Sequence, residues 1–289
     1  MKRLEKLKAA VSQGMDSAAS LLKTAILSRR PSPASAATER TLVVMGNGPS
    51  LRDAIDSHSA LLRRHSLLSV NFAPLTPDFF ALRPDIHLLA DGIFFAEPKQ
   101  GNVAEMWSAL AGADWPMLLY IPASHRGCPE IAALPANIGV RYFNLTPASG
   151  WKWLAHALFR RGLAMPRPRN VLVPAIMTGI REGFRRIVLV GADHGWSKTL
   201  WVNDNNRVIT VQPHFYEDNE KERQRVEDLY KDIHIHQIYE SFAIAFRSYF
   251  AVKDYAASRG VEIVNATPGS FIDAFPRVTL EKLATESLS

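Results

Sequence analysis

The sequence predicts an α/β domain with a Rossmann-like, mostly parallel sheet and helices on both faces, plus a lid insertion and an N-terminal amphipathic helix. The main observation is a series of short, apolar, β-rich segments from residue 41 onward, separated by helical patterns. Small and short polar residues follow several of them, where a ligand lies in such sheets. A chain of 289 residues with 47% apolar composition can also fill a sizeable core. The predicted strands are TLVVMG, SLLSVN, DIHLLAD, MLLYI, VRYFNL, RIVLVG and VEIVN.

The distribution of charge argues against a nucleic-acid partner. The net charge is +6, and residues 1–40 hold eight Lys or Arg and three Asp or Glu, a net of +5. The remaining chain has 26 basic against 25 acidic residues, a net of +1. Binding the phosphates of a nucleic acid requires a basic face on the folded domain itself. We therefore expect no nucleic-acid binding by the main domain.

Residues 1–40 predict a basic amphipathic helix followed by a linker rich in Ser, Pro and Ala. Two alternatives remain open for the apolar side of this helix within residues 1–28. It contacts an anionic membrane surface, or it packs on this domain or on a second copy in a homo-oligomer. The main domain is then 41–289. The apolar side consists of Leu4, Leu7, Val11, Met15, Ala18, Leu22 and Ile26.

The cysteine content and the hydropathy indicate where the protein works. The single Cys128 excludes a disulfide framework and suits a reducing compartment. No run approaches the ~18 apolar residues that cross a bilayer, and no signal-peptide core is present. We expect a cytoplasmic protein, with peripheral attachment to the inner face of the cytoplasmic membrane as the second option.

The first strand ends in a turn with the sequence Gly46-Asn47-Gly48-Pro49-Ser50. The turn lacks the third glycine of the dinucleotide fingerprint and the Gly-Lys-Ser/Thr of a Walker loop. The two glycines allow close approach of a ligand, and Ser50 can cap the following helix. We expect this turn to hold a nucleotide phosphate or ribose, with a directional contact from the Asn47 amide.

Polar residues also follow other strands at the same edge of the sheet. Asn71 follows the second strand, Asp91 the third, and Asp193 and His194 the sixth. Each of these residue types fits an ordinary turn without any ligand. Their recurrence at one sheet edge nevertheless favours a binding site.

Residues 195–235 interrupt the regular alternation and predict a lid over the strand ends. The sequence NDNN is a turn signal between two short β-prone segments. Aromatic residues of the lid either stack on a sugar or base or anchor the lid to the domain. These residues are Trp196, Trp201, Phe215 and Tyr216.

The sequence gives no indication of a metal site. No Asp-x-Asp motif occurs in the chain, and the best alternative cluster, His234 and His236, has no obvious third ligand. We expect no required metal and no other cofactor.

Several segments together resemble the bacterial metal-independent sialyltransferases that use CMP-sialic acid. They also resemble a broader family of surface-polysaccharide and flagellin-modification proteins and the archaeal MptE-like pterin diphosphokinases. The similarity spans roughly residues 41–280 in order. The segments are VVMGNGPSL, SVNF, AIMTGIREGFRRIVLVGAD and QPHFYEDN.

This resemblance implies roles for individual residues. The aspartate that ends the strand-Gly-x-Asp motif, Asp193, is implied to lie near the nucleotide and the sugar. The sialyltransferases have a Thr/Ser-Ser-Gly turn where this chain has Asn170, which can substitute for it. The residues implied to contact CMP are Asn47, Gly48, Ser50 and Asn71.

The resemblance implies an inverting glycosyltransferase that moves a sialic-acid-like or other ulosonic sugar from a CMP-sugar donor to a surface glycan or lipid-linked acceptor. The first alternative is an MptE-like ATP-dependent diphosphokinase. The second is a non-catalytic nucleotide-binding scaffold in surface-polysaccharide assembly.

A general base is required to deprotonate the acceptor hydroxyl, and histidine is the usual choice. His214, followed by an aromatic residue, matches the position of the base in the resembling sialyltransferases. Tyr216 is the candidate for a hydrogen bond to the leaving phosphate. His194 is the rival base, although its position beside Asp193 suits orientation of the nucleotide better.

Overall fold

The computed structural model describes residues 2–96, 101–210 and 233–286, which include a seven-stranded, fully parallel sheet. The strand order is β5-β4-β3-β2-β1-β6-β9, which confirms the predicted Rossmann-like class. Two further short strands form an antiparallel hairpin within the predicted lid. The strands of the sheet are β1 (Thr38–Met45), β2 (Ser66–Val70), β3 (Ile86–Leu88), β4 (Met117–Pro122), β5 (Ile138–Phe143), β6 (Phe184–Val190) and β9 (Glu262–Asn265), and the hairpin is β7 (Leu200–Val202) with β8 (Val208–Thr210).

Helices connect the strands and cover both faces of the sheet. Short 3-10 turns occur at Ala73–Leu75, Ala123–His125, Pro129–Ala133 and Trp196–Thr199. The α-helices of the described residues are α1 (Lys2–Leu27), α2 (Ser50–Leu62), α3 (Pro77–Leu82), α4 (Ile93–Ala96), α5 (Gly101–Ala111), α6 (Lys152–Arg160), α7 (Leu172–Arg181), α8 (Ile235–Ser258) and α9 (Leu280–Glu286).

The carboxyl-terminal half of β1, from Leu42 to Met45, is apolar at every position and buried on both faces. In β1, Leu42 and Val44 pack with residues of α6, α7 and α8 on one face. Val43 and Met45 point to the other face and pack with residues of α2 and α9. A continuous apolar run is therefore the sequence pattern of a strand in this sheet.

The order of the strands creates a topological switch between β1 and β6. The chain moves outward from β1 to β5 and then returns to the opposite side of β1 as β6. The two strands run in register, with Met45 beside Val190 at their carboxyl ends. In open α/β sheets a ligand binds in the crevice at such a switch point. The predicted site residues after β1 and β6 lie at this crevice.

The linker between α1 and β1 lies on the domain. The Ser32 amide donates to the Tyr142 carbonyl at 2.9 Å, and the Ser35 hydroxyl donates to the Glu182 carboxylate at 2.6 Å. The buried Tyr120 hydroxyl donates to the same carboxylate. Strand β1 begins at Thr38, within the predicted linker, because the Thr38 amide donates to the Gly183 carbonyl at 2.9 Å.

Helix α1 lies against the domain through small polar residues, and its apolar side faces outward. Ser17 and Ser20 are buried at this contact, whereas Met15 and Leu22 are largely exposed. Packing of the apolar side on its own domain, one of the predicted alternatives, is therefore not what the structure shows. Within the described parts of the chain, no helix combines the length and apolar character needed to span a membrane.

Candidate functional site

The turn after β1 and the loop after β6 are in direct backbone contact. The Gly46 amide donates to the Val190 carbonyl at 2.8 Å, and the Gly48 amide donates to the Gly191 carbonyl at 2.9 Å. A Cβ at Gly46 would collide with the Gly191 carbonyl, and a Cβ at Gly48 would collide with the carboxylate of Asp193. Both glycines are thus required for the close approach of the two loops.

The Asp193 carboxylate holds the first turn of α2. Its Oδ2 accepts from the Ser50 hydroxyl at 2.7 Å, and its Oδ1 accepts from the Ser50 amide at 3.4 Å. The predicted capping role of Ser50 is therefore wrong, because its hydroxyl donates to Asp193 and no side chain at the N-cap residue, Pro49, caps the helix. This places a negative charge where a helix would otherwise attract a phosphate.

Two asparagines beside this turn have buried oxygen atoms without a hydrogen-bond partner. Asn47 Nδ2 donates to the Val70 carbonyl at 3.4 Å, which leaves its Oδ1 unpaired. Asn71 follows directly after Val70, adopts a positive φ of 52°, and its Oδ1 is likewise unpaired. Buried polar atoms normally have a partner, so these two acceptors are candidates for donors of a ligand.

A third asparagine, Asn170, stands at the start of α7. Its Oδ1 accepts from the Leu172 amide at 3.0 Å and from the Tyr249 hydroxyl at 2.9 Å. These donors fix the orientation of the amide, and its buried Nδ2 has no partner. Asn170 therefore offers a free donor, in contrast to the free acceptors of Asn47 and Asn71.

His194 belongs to the same hydrogen-bond chain. Its Nε2 lies 2.6 Å from the Tyr249 hydroxyl oxygen. Because that hydroxyl donates its proton to Asn170, its oxygen accepts from His194, and Nε2 carries the proton. Nδ1 is then the unprotonated nitrogen, and no hydrogen-bond partner for it occurs among the described residues.

Burial keeps His194 neutral. Its ring lies 4.1 Å from the Trp196 ring between centroids, and desolvation lowers the pKa of His194 from 6.5 to about 3. Desolvation likewise raises the pKa of Tyr249 well above its ordinary value. His194 has a positive φ of 51°, and its side chain reaches Tyr249 of α8. At neutral pH both rings therefore remain uncharged.

The loop after β6 is braced by Asn265 at the end of β9 and by two residues of the segment that follows it. Thr267 Oγ1 accepts from the Ala192 amide at 3.0 Å, and the Ser270 hydroxyl donates to the Ala192 carbonyl at 2.6 Å. Asn265 holds both, because its Nδ2 donates to Ser270 and its Oδ1 accepts from the Thr267 amide. These hydrogen bonds fix the amide and the carbonyl of Ala192, directly before Asp193 and His194.

Other predicted residues are placed differently or cannot be placed. Asp91 is exposed, and its Oδ1 accepts from the Ile93 amide at 3.1 Å, which is ordinary turn chemistry. His214 and Tyr216, the predicted base and its partner, lie outside the described residues, as does Phe215 of the lid.

The described part of the lid provides aromatic surface. Trp196 packs against Phe242 with the ring centroids 5.4 Å apart, which fits the anchoring alternative. Trp201 of β7 is 48% exposed. His234 forms the capping box of α8 with Gln237, and the described residues include no group of three metal-binding side chains.

Comparison with known proteins does not identify a family. No protein-family model and no curated protein matches the chain. One similar solved structure is the MAf glycosyltransferase from Magnetospirillum magneticum AMB-1, at 15% identity and a TM-score of 0.49. The alignment covers 91% of this chain and 38% of that protein, so this chain spans well under half of its length. At this distance the comparison assigns no activity.

Proposed function

We propose that this protein is an inverting glycosyltransferase that transfers a sialic-acid-like or other ulosonic sugar from a CMP-sugar to a glycan or lipid-linked acceptor. The observation that carries the proposal is the set of unpaired amide atoms around the crevice between β1 and β6. They belong to Asn47, Asn71 and Asn170, which are among the residues singled out by the resemblance to CMP-dependent sialyltransferases.

The polarity of these atoms suits the parts of a CMP-sugar. The free oxygens of Asn47 and Asn71 require donors, which ribose hydroxyls and the cytosine amino group provide. The free Nδ2 of Asn170 requires an acceptor, which the phosphate or the carboxylate of an ulosonic sugar provides. We therefore assign the nucleoside to the β1 and β2 ends and the phosphate to the start of α7.

The charge at α2 favours a monophosphate over a polyphosphate. The Asp193 carboxylate accepts from the first amide of α2, so a phosphate there would meet a negative charge. An ATP-dependent diphosphokinase binds a triphosphate together with magnesium, which this arrangement does not favour. A CMP leaving group carries one phosphate and can be stabilised by neutral donors.

In the proposed reaction, the acceptor hydroxyl attacks the anomeric carbon of the donor from the face opposite CMP. The bond between that carbon and the phosphate oxygen breaks, CMP leaves, and the configuration inverts. His214 takes the acceptor proton, and Tyr216 donates to the leaving phosphate; both roles rest on the resemblance.

His194 is assigned a positioning role and not the role of base. A base works best when its pKa lies near the working pH, and burial lowers the pKa of His194 to about 3. Its Nδ1 lone pair can accept from a ribose hydroxyl while Nε2 is held by Tyr249.

A thermal-shift panel of CMP, CDP, UDP, GDP and ATP, with and without magnesium, tests the proposal. A ligand at about 100 times its Kd stabilises the folded state by about 2.7 kcal/mol, which raises Tm by several degrees. We expect CMP and CDP to do so without magnesium. Stabilisation by ATP with magnesium alone would overturn the proposal in favour of the diphosphokinase. No stabilisation by any nucleotide would also overturn it.

A further inference from the structure

Helix α1 presents a continuous apolar surface to solvent. The spacing of four and seven residues puts five of its large apolar side chains on one side of the helix. A stripe of this size on a helix surface marks an interaction site. These side chains, the α1 stripe, are Leu7 at 61% exposure, Val11 at 55%, Met15 at 69%, Leu22 at 62% and Ile26 at 59%.

The opposite side of α1 fixes the helix to the domain. The Ser20 hydroxyl donates to the Ser149 carbonyl at 3.0 Å and accepts from the Ser149 amide at 2.9 Å. The Ser17 hydroxyl accepts from the Trp151 amide at 2.8 Å, and a Cβ at Gly150 would collide with Ser17. The helix therefore docks through its polar side and holds the α1 stripe outward.

Two exposed tryptophans extend this surface. Trp151 and Trp153 are 43% and 68% exposed, and their rings stack with centroids 6.2 Å apart. Trp151 lies beside α1, with its Cζ2 3.6 Å from where a Cβ at Gly14 would stand. Tryptophan favours the boundary between apolar and aqueous phases, because its ring is apolar and its N–H is polar.

The charge of this region favours a membrane over a second copy of the chain as the partner of the α1 stripe. Residues 2–27, which form α1, have five Lys or Arg against two Asp or Glu, a net charge of +3, and Lys8 and Lys23 are exposed on the helix. A symmetric contact between two copies would bring two such basic segments together. An anionic bilayer instead attracts them, at about 1 kcal/mol for each basic residue near its surface.

We propose that the α1 stripe, together with Trp151 and Trp153, docks the protein on an anionic lipid bilayer. Helix α1 lies in the plane of the interface, with its apolar side chains among the acyl chains and its lysines at the headgroups. This proposal does not depend on the identity of the donor nucleotide.

Co-sedimentation of the full chain with lipid vesicles tests the proposal. The test variant is Met15→Glu with Leu22→Glu, which changes two largely exposed side chains and so removes little packing. The control is Ala9→Glu with Ser12→Glu, which makes the same change of charge at exposed positions outside the α1 stripe. Circular dichroism confirms that both variants remain folded.

We expect the wild type to bind vesicles that contain phosphatidylglycerol and to be released by salt. Phosphatidylcholine vesicles should bind it much more weakly. The stripe variant should bind at least roughly tenfold more weakly than the control variant, because apolar burial is lost. Equal binding of the two variants, or no binding of the wild type, would overturn the proposal. A wild-type dimer in light scattering that the stripe variant splits would also overturn it, in favour of contact between copies.

Discussion

At the scale of the residue, Gly48 and Asp193 depend on each other. The carboxylate of Asp193 occupies the space that a side chain at position 48 would need, and from there it holds Ser50. The turn after β1 is therefore shaped by a partner 143 residues away from Ser50 in the chain.

We predict that Gly48→Ala destabilises the fold and weakens nucleotide binding. The new Cβ would displace the Asp193 carboxylate, and overpacking of this kind costs about 1–3 kcal/mol. The control is Gly92→Ala, because a Cβ at that position meets nothing within 4 Å. Urea denaturation measures the difference, and equal stability of the two variants would contradict the assigned contact.

A second residue-scale prediction separates the two histidines. His214→Ala should lose most of its turnover and keep its nucleotide affinity, because a base acts in the transition state and not in donor binding. His194→Ala should weaken nucleotide affinity, because it removes Nδ1, the proposed acceptor for a ribose hydroxyl. Near-normal turnover of His214→Ala beside an inactive His194→Ala that still binds nucleotide would make His194 the base.

At the scale of the element, the strands and helices could largely be predicted from local patterns. In the segment TLVVMG, the positions from Leu42 to Met45 are all apolar because this half of β1 is buried on both faces. The sequence from about residue 236 to 259 predicts a helix, and α8 spans Ile235–Ser258. The residues that follow β1, β2 and β6 could be predicted as site candidates because parallel strands end at one edge.

The contacts of the site could not be predicted, because they join distant parts of the chain. Tyr249 lies 55 residues from His194 and carries no motif. The sequence contains one usable signal for it. Tyr249 is spaced from Ala245 and Val252 so that it lies on the buried side of α8, and a buried tyrosine needs a partner for its hydroxyl. The capping of α2 by Asp193 has no local signal, because Ser50 itself has the residue type of a cap.

The linker before β1 leads to an element-scale prediction. Ser35→Ala removes a 2.6 Å hydrogen bond to the buried Glu182 and should cost about 1–3 kcal/mol of stability. The control is the exposed Ser197→Ala. Urea denaturation of both variants provides the comparison. If the linker contributed nothing to the fold, Ser35→Ala and Ser197→Ala would have equal free energies of unfolding.

At the scale of the whole molecule, two buried histidines contribute to the dependence of stability on pH. His87 in β3 is fully buried against Ser69, and desolvation lowers the pKa of His87 to about 3, as it does for His194. Between pH 6.5 and 3 the unfolded chain binds protons that the folded protein excludes. Stability is therefore complete above pH 6.5 and falls as the pH drops through this window.

We predict a loss of about 2 kcal/mol for each of these histidines between pH 7.5 and pH 5. His87→Gln should show a smaller decrease of stability with falling pH than the wild type. The control His236→Gln changes an exposed residue and should behave as the wild type. Urea denaturation at the two pH values measures the slopes, and parallel slopes for wild type and His87→Gln would contradict the account.

In the proposed complex, the nucleoside of CMP binds at the carboxyl ends of β1 and β2, beside the crevice between β1 and β6, through Asn47 and Asn71. Calorimetric titration of CMP, without magnesium, into the wild type and three alanine variants tests it most directly. Asn137→Ala is the control, because Asn137 precedes β5 at the opposite edge of the sheet. We predict that Asn47→Ala and Asn71→Ala each weaken CMP binding about tenfold or more, whereas Asn137→Ala keeps the wild-type Kd. Wild-type affinity in both Asn47→Ala and Asn71→Ala, or no CMP binding by the wild type, would contradict the account.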